Sequence, residues 1–184
     1  VIIYDYVDNH IPMFDNMYAK RLKAYKQIGY ELACGLQIGK QTVNAIYDWD
    51  NYSTYYHKDL LGANNNIIIS SPVISGPKVY ELINLLKEKQ MSGVQITIVT
   101  WAPDSYRFGD AAYWMQLHED MRQAGFYIKT VEESCERFAV IDQEVVWYGN
   151  INLLAKDKVD DSIMRVLSKE IASELMEITF GDNG

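Results

Sequence analysis

Cysteine is scarce in this sequence, long apolar runs are missing, and basic residues do not outnumber acidic ones. Only Cys34 and Cys135 occur among 184 residues, too few for a disulfide framework, so reduced thiols are expected. No apolar run reaches the length of a membrane span, and no signal peptide opens the chain. These absences predict a cytoplasmic protein with no membrane partner. The chain begins at Val1, inside an apolar run, which indicates a piece of a longer protein.

The charge is acidic and unevenly distributed. The formal net charge is −8, and residues 1–35 balance four Lys and Arg against four Asp and Glu. The remainder therefore carries the whole excess of negative charge. A nucleic-acid-binding protein usually presents a basic surface. Any contact with DNA or RNA beyond residue 35 is therefore expected to be local or weak.

Hydrophobic periodicity predicts alternating strands and helices. Helices are predicted near 12–30, 50–61, 77–91, 111–124 and 169–178, and strands near 1–7, 67–69, 94–101, 126–131, 137–141, 145–149 and 163–167. Asp142-Gln143-Glu144 is predicted to be a hairpin turn. Helices between strands favour parallel pairing, and the hairpin adds antiparallel strands. We expect an α/β fold with a mixed, mostly parallel sheet flanked by helices on both faces.

One stretch carries a spaced polar motif. It contains Cys135, Arg137 and Asp142, followed by Gly149-Asn150-Ile151-Asn152. The stretch resembles the phospholipase D signature H-x-K-x4-D followed by G-S-x-N. The resemblance implies a phospholipase-D-like domain whose catalytic positions are Cys135, Arg137, Asp142 and Asn152. It also implies phosphate binding by Arg137, Asn150 and Asn152, covalent catalysis without a metal, and a homodimer, because the family joins two such motifs and this chain has one.

The departures from the signature separate two interpretations of the site. Cys135 replaces the histidine nucleophile, Arg137 replaces lysine, and Asn150 replaces serine. A thiolate could attack phosphorus if Arg137 lowered the pKa of Cys135. Alternatively, Cys135 is a half-buried apolar residue at a site without catalysis, where Arg137 still holds a phosphate with two hydrogen bonds. The second interpretation is preferred.

The first segment carries a second resemblance. The runs Tyr4–Pro12, Met17–Leu22 and Gly29-Tyr30 are similar to the tail of the second motor domain of DEAD/DEAH-type helicases. This resemblance predicts two parts, residues 1–35 as a helicase tail with a helical linker and residues 36–184 as the phospholipase-D-like domain. No G-x-x-x-x-G-K-[ST] motif is present. ATP and Mg²⁺ are therefore expected only for a missing motor domain, and no cofactor is expected here.

The remaining polar and aromatic residues do not add a second site. His10, His57 and His118 lack partners spaced for metal binding, so no metal site is predicted. Tyrosines and tryptophans could stack on bases, but four of them lie on helical stripes and are expected in the core, namely Tyr52, Tyr55, Tyr56 and Trp114. Three functions stay open. They are a non-catalytic accessory domain of an ATP-dependent helicase that binds DNA or RNA weakly, a metal-independent phosphodiesterase or nuclease with an altered nucleophile, and a dimerisation module without a ligand.

Overall fold

The computed structural model describes residues 44–106, 109–132, 135–155 and 161–181. The predictions for the first strand and helix, and for the domain boundary after residue 35, lie outside these residues. The described strands are β1 (Ala45–Asp48), β2 (Asn66–Ser70), β3 (Gln95–Trp101), β4 (Tyr127–Val131), β5 (Phe138–Ile141), β6 (Val145–Gly149) and β7 (Ser162–Leu167). The described helices are α1 (Tyr52–Gly62), α2 (Gly76–Met91), α3 (Ala111–Gln123) and α4 (Lys169–Phe180), with a short 3-10 turn at Pro103–Ser105.

The seven strands form one mixed sheet in the order β1-β7-β6-β5-β2-β3-β4. Among the described strands, only the β2–β3 and β3–β4 pairs are parallel. After β2 and β3, helices α2 and α3 return the chain to the end of the sheet at which the preceding strand began. The pairs β1–β7, β7–β6, β6–β5 and β5–β2 are antiparallel. The mixed α/β fold is as expected, but the expectation of mostly parallel pairing is only partly right. The hairpin and the strands beside it contribute more pairs than the helical crossovers do.

Local sequence signals set the ends of the helices. Asp110 accepts a hydrogen bond from the backbone N–H of Ala112 at 2.9 Å and caps α3, and Ser168 caps α4 in the same way. Gly93 and Gly125 follow α2 and α3 with φ of 93° and 85°, a conformation that glycine adopts without steric cost. These caps explain why the helix ends lie close to the predicted ones.

The sheet separates two hydrophobic cores. The larger core packs α1, α2 and α3 against one face, with Ile67, Ile69 and Trp147 pointing into it. The smaller core packs α4 against the other face, where alternate residues such as Ile68 and Val140 meet Leu175. Alternation along each strand therefore supplies both cores, because successive side chains point to opposite faces. Helices on both faces are confirmed.

Strand β1 is the element within the described residues that periodicity did not predict. Its four residues, Ala45–Asp48, alternate between half-buried and exposed, and Ile46 is 76% exposed. The strand is held by antiparallel pairing with β7 at the edge of the sheet. An edge strand this short and this exposed has almost no sequence signature, because its stability comes from its partner. Within the described residues, none of the helices is long and apolar enough to cross a membrane.

Candidate phosphate site

Two adjacent buried serines mark the carboxyl end of β2. Ser70 is 1% exposed and Ser71 is fully buried. The backbone N–H of Ser71 donates to the carbonyl of Val99 in β3 at 2.9 Å, so the chain still lies alongside β3 just after β2 ends. Ligands of open α/β sheets bind outside the carboxyl ends of parallel strands. Cys135, Arg137 and Asn152 of the motif lie near this end of the strands.

Cys135 lies directly beside Ser70. Its Sγ is 3.4 Å from Ser70 Oγ and 3.8 Å from the carbonyl of Val99, and Ser70 Oγ donates to the carbonyl of Glu136 at 2.5 Å. Cys135 packs against the smaller core and lines a cleft of about 370 Å³ near the end of α4, together with Val99, Lys129, Val131 and Phe180. The thiol is therefore half-buried, between the smaller core on one side and a cleft with polar and apolar lining on the other.

The environment of Cys135 keeps its thiol protonated. Burial raises the pKa of Cys135 and is the largest influence, while the hydrogen bond with Ser70 lowers it. The negative charge of Glu136 raises the pKa further. The positive charge of Arg137 lowers the pKa, but it is the smallest of the influences on this thiol. Because the thiolate is the nucleophilic form, this setting disfavours attack on phosphorus.

Asn152 is anchored to the second serine. It is 2% exposed, and its Oδ1 accepts a hydrogen bond from Ser71 Oγ. Ser71 Oγ also accepts the backbone N–H of Leu154 at 3.2 Å. Ile151 and Leu154, on either side of Asn152, are buried in the larger core, so the segment after β6 is fixed by packing. The two halves of the motif therefore meet through the neighbouring residues Ser70 and Ser71.

Arg137 contacts the second half of the motif. It is half-buried, and its Nη1 donates to the carbonyl of Asn150 at 2.5 Å. The backbone N–H of Gly149 donates to the carbonyl of Arg137 at 3.3 Å, which extends the β5–β6 pairing by one step. The structure thus brings Arg137 to the Gly149–Asn152 segment. Asn150 itself is exposed, and its backbone N–H donates to Ser162.

Arg137, which was predicted to begin a strand near residues 137–141, lies just before that strand, and Cys135 precedes it. Strand β5 begins at Phe138, and residues 135–137 are irregular. The side chains are therefore not placed by the alternation of a strand. Cys135 is placed by Ser70, and Arg137 by Asn150.

Asp142 lies at the opposite end of strand β5 from Arg137. Strand β5 runs antiparallel to β2, so Phe138 pairs with Ser70 while Ile141 pairs with Ile67. Asp142 follows Arg137 by five positions, which is roughly 17 Å along an extended strand. The structure therefore does not bring Asp142 to the other motif residues.

Asp142 organises a turn instead. Its carboxylate accepts backbone N–H groups from Asn64 at 2.9 Å, Asn65 at 2.7 Å and Asn66 at 3.1 Å. Asp142 and Gln143 have φ of 52° and 56°, the left-handed conformation of a type I′ hairpin turn, which confirms the predicted turn. Burial by itself raises the pKa of Asp142, but these backbone hydrogen bonds together outweigh it, so the pKa is lowered.

Sequence reasoning missed Ser70 and Ser71. Both follow the apolar run Ile67–Ile69, and polar residues at the end of a buried strand are the signal that could have identified them. Two of the three histidines, His57 and His118, lie among the described residues. His118 is 1% exposed, and His57 lies 3.6 Å from Glu81. Among the described residues, no group of three His, Cys, Asp or Glu side chains is placed to hold a metal ion.

The chain is similar in structure to three solved proteins. NucT from Helicobacter pylori aligns with a TM-score of 0.57 at 9% identity, over 74% of this chain and 92% of its own. Nuc from Salmonella typhimurium, a phospholipase D family member, aligns with a TM-score of 0.57 at 13% identity, over 74% and 91%. TrmBL2, an archaeal chromatin protein with a novel mode of DNA binding, aligns with a TM-score of 0.50 at 13% identity, over 90% and 64%. At these identities the likeness establishes the fold.

The sequence itself decides the family. No curated protein matches the chain. The family model described as "Cardiolipin synthase, PLD-like domain" matches residues 56–179, well over half of the chain. This range includes Ser70, Cys135, Arg137 and Asn152, the residues that meet at one edge of the sheet. The chain belongs to this family of phospholipase-D-like domains.

Proposed function

We propose that this domain binds a phosphate group of a nucleic-acid backbone through Arg137, Asn150 and Asn152, and that it does not cleave the bound chain. The observation that carries the proposal is the arrangement of Arg137 beside the Gly149–Asn152 segment at the carboxyl edge of β2. Guanidinium and amide groups are donors, and phosphate oxygens are acceptors. The side chains of Arg137, Asn150 and Asn152 are therefore suited to bind an anionic phosphate oxygen.

The state of Cys135 supports the absence of cleavage. Its pKa is raised, first of all by burial, so the thiol is mostly neutral at physiological pH. A neutral thiol is a poor nucleophile toward phosphorus, and it cannot replace the imidazole that the family signature places here. The degenerate motif positions Cys135, Arg137 and Asn152 are thus proposed to bind phosphate without forming a covalent intermediate.

Nucleic acid is the proposed source of the phosphate. DNA binding by TrmBL2, which has a similar fold, supports this choice. The net charge of −8 predicts that long-range attraction is weak. Binding should therefore depend on one or two local contacts, and both DNA and RNA are candidate ligands.

The wider setting is proposed from the sequence resemblance alone. The similarity of residues 1–35 to a helicase motor tail supports an accessory role for the domain in an ATP-dependent helicase, with the motor in the same polypeptide. The presence of one motif in the chain supports a homodimer. Size-exclusion chromatography with light scattering tests the dimer, and a monomeric mass at micromolar concentration would contradict it.

Fluorescence anisotropy with labelled single- and double-stranded DNA and RNA tests the binding. The measurements use EDTA and a series of salt concentrations. Arg137→Ala is expected to weaken binding about tenfold and to reduce the salt slope by about one. Lys87→Ala is the matched control, because Lys87 is an exposed cation near the C-terminal end of α2, at the other edge of the sheet.

The same oligonucleotides test the absence of cleavage. Incubation in EDTA followed by denaturing gels should leave them intact at protein concentrations that give binding. Cleavage that disappears in both Cys135→Ala and Asn152→Ala would overturn the proposal and identify Cys135 as a nucleophile. Equal binding by wild type and Arg137→Ala would contradict the phosphate site.

A further inference from the structure

A cleft of about 370 Å³ opens beside the motif, on the face of the sheet that α4 covers. Its walls come from the carboxyl end of β2, from strands β3 and β4, from residues 135–136 and from the end of α4. Sites for small molecules measure about 300–1,000 Å³ and combine apolar surface with a few polar groups. The cleft is therefore large enough for one small group of a ligand.

Cys135 connects this cleft to the motif. It stands at the position where the family signature has its histidine nucleophile, and its Sγ lies 3.4 Å from Ser70 Oγ. Both residues line the cleft. A phosphate bound at the motif therefore has the cleft as its neighbour, and the part of the ligand that follows the phosphate can extend into it. The lining of the cleft then decides which kind of group is accepted there.

The lining combines apolar walls with polar groups. Val99, Val131 and Phe180 supply apolar surface. Lys129 Nζ donates to the carbonyl of Thr179 at 2.5 Å and lies 4.7 Å from the centre of the Phe180 ring. An ammonium group has three N–H donors, so two remain beyond the one that Thr179 accepts. Glu136, with the opposite charge, also lines the cleft.

This mixture of charged and apolar groups favours a nucleobase over a lipid chain. An acyl chain would cover the ammonium of Lys129 and the carboxylate of Glu136 with hydrocarbon, which costs free energy because neither regains its hydrogen bonds to water. A nucleobase has apolar faces, and its edges carry hydrogen-bond donors and acceptors. It can therefore contact the apolar walls and still offer partners to the polar groups.

We infer that the cleft receives one unstacked nucleobase of a single-stranded nucleic acid whose phosphate is held at the motif. In a duplex the bases are stacked and paired, and a base must be pulled out of the stack before it can enter such a cleft. A single strand does not bear this cost, so the domain selects single strands over duplexes. The inference rests on the proposed function, and it adds the class of nucleic acid and the place of the base.

Fluorescence anisotropy with the full chain in EDTA tests the selection. A short labelled single strand is expected to bind about tenfold more tightly than its duplex, because only the duplex base must be unstacked. An abasic strand keeps the phosphates without the bases, and it should bind about tenfold more weakly than the single strand. Equal affinity of the abasic strand and the single strand would overturn the inference, as would equal affinity of the duplex.

Ile178→Ala tests whether the base enters this cleft. Ile178 lines the cleft and is 69% exposed, so its truncation removes apolar contact surface without changing the charge or the core. Single-strand affinity should fall about fivefold, and abasic-strand affinity less than twofold. Ile171→Ala is the matched control, because Ile171 is another exposed isoleucine of α4, 38% exposed, that does not line the cleft. Equal effects of the two substitutions would contradict the assignment. Thermal melting checks that both variants are folded.

The base cleft and the phosphate site can fail separately. Single-strand binding that falls in Ile178→Ala but not in Arg137→Ala would keep the cleft and overturn the phosphate site. Binding that falls in Arg137→Ala but is equal for abasic and single strands would keep the phosphate site and overturn the cleft. Vesicles of phosphatidylglycerol and phosphatidylcholine test the lipid alternative. Vesicle binding weakened by Ile178→Ala, without single-strand binding, would assign the cleft to an acyl chain, and binding of neither probe would overturn both proposals.

Discussion

Asp59 on α1 and Arg165 on β7 form an ion pair with two hydrogen bonds. Arg165 Nε lies 2.6 Å from Asp59 Oδ2, and Nη2 lies 3.0 Å from Oδ1. The side chains are 10% and 17% exposed for Arg165 and Asp59. Trp147 Nε1 also donates to Asp59 Oδ2, at 2.9 Å. One carboxylate therefore satisfies two buried donors and fixes α1 to the neighbouring strands β6 and β7.

Asp59→Ala is expected to lower the free energy of unfolding by about 3 kcal/mol, because it leaves the Arg165 charge and the Trp147 N–H buried without that partner. Urea denaturation measures the change. The control is Glu119→Ala, which breaks the exposed pair with Arg122, whose atoms lie 3.9 Å apart with both side chains 50% exposed. That change should cost about 0.5 kcal/mol or less. Equal losses in the two variants would contradict the prediction.

Asp142→Asn should separate stability from binding. The carboxylate accepts three backbone N–H groups, and an amide keeps one acceptor oxygen, so the variant is expected to lose about 1–2 kcal/mol of stability. Oligonucleotide affinity should stay within twofold of wild type, because Asp142 lies at the far edge of the sheet from Arg137. A variant that is as stable as wild type but no longer binds would instead place Asp142 in the site.

His118 should make the fold sensitive to acid. Burial, and then the charge of Arg122, lower the pKa of His118 to about 4. The unfolded chain has a histidine pKa of about 6.5, so it binds the proton more readily than the folded chain. The free energy of unfolding is therefore not reduced by His118 above about pH 6.5. It falls as the pH drops from there toward 4, because the unfolded chain takes up the proton first.

The pH effect is measured by urea denaturation at pH 7 and pH 5. Wild type is expected to lose about 2 kcal/mol more between these two pH values than His118→Leu does, because leucine does not titrate. His57 contributes less, since its side chain is 33% exposed. Parallel pH profiles for wild type and His118→Leu would show that the imidazole titrates normally in the folded protein.

Gly149 permits a close approach of two strands. A Cβ at this position would lie 2.5 Å from the carbonyl oxygen of Ser162 and 2.7 Å from the Cα of Ile163, both backbone atoms of β7. Gly149→Ala is therefore expected to lower the free energy of unfolding by about 2 kcal/mol, because the strands must move apart. It should also weaken phosphate binding, since Gly149 leads directly into the Asn150–Asn152 segment. Gly62→Ala is the control, as a Cβ there meets nothing within 4 Å.

Periodicity and capping residues were sufficient to predict most elements of the described fold. The stripes of α2, α3 and α4 and the alternation of β3 follow directly from the spacing of apolar residues, because each element buries one face or both. Strand β1 could not be predicted in this way, since Ala45–Asp48 is short, its side chains are at most half-buried, and pairing with β7 holds it at the edge of the sheet. The share of antiparallel pairs was likewise set by long-range pairing, which periodicity does not report.

The sequence by itself determined the family motif, the cysteine at position 135 where that motif has histidine, and the acidic net charge. These are properties of residue identity and spacing. Only the tertiary structure decided that Asp142 stands apart from Arg137. The extended strand β5 lies between them, and its pairing with β2 places Phe138 beside Ser70 and Ile141 beside Ile67, at opposite ends of β2. It also decided that Ser70 and Ser71 join the two halves of the motif, because those contacts span more than sixty residues of chain and depend on how β2 packs between β3 and β5.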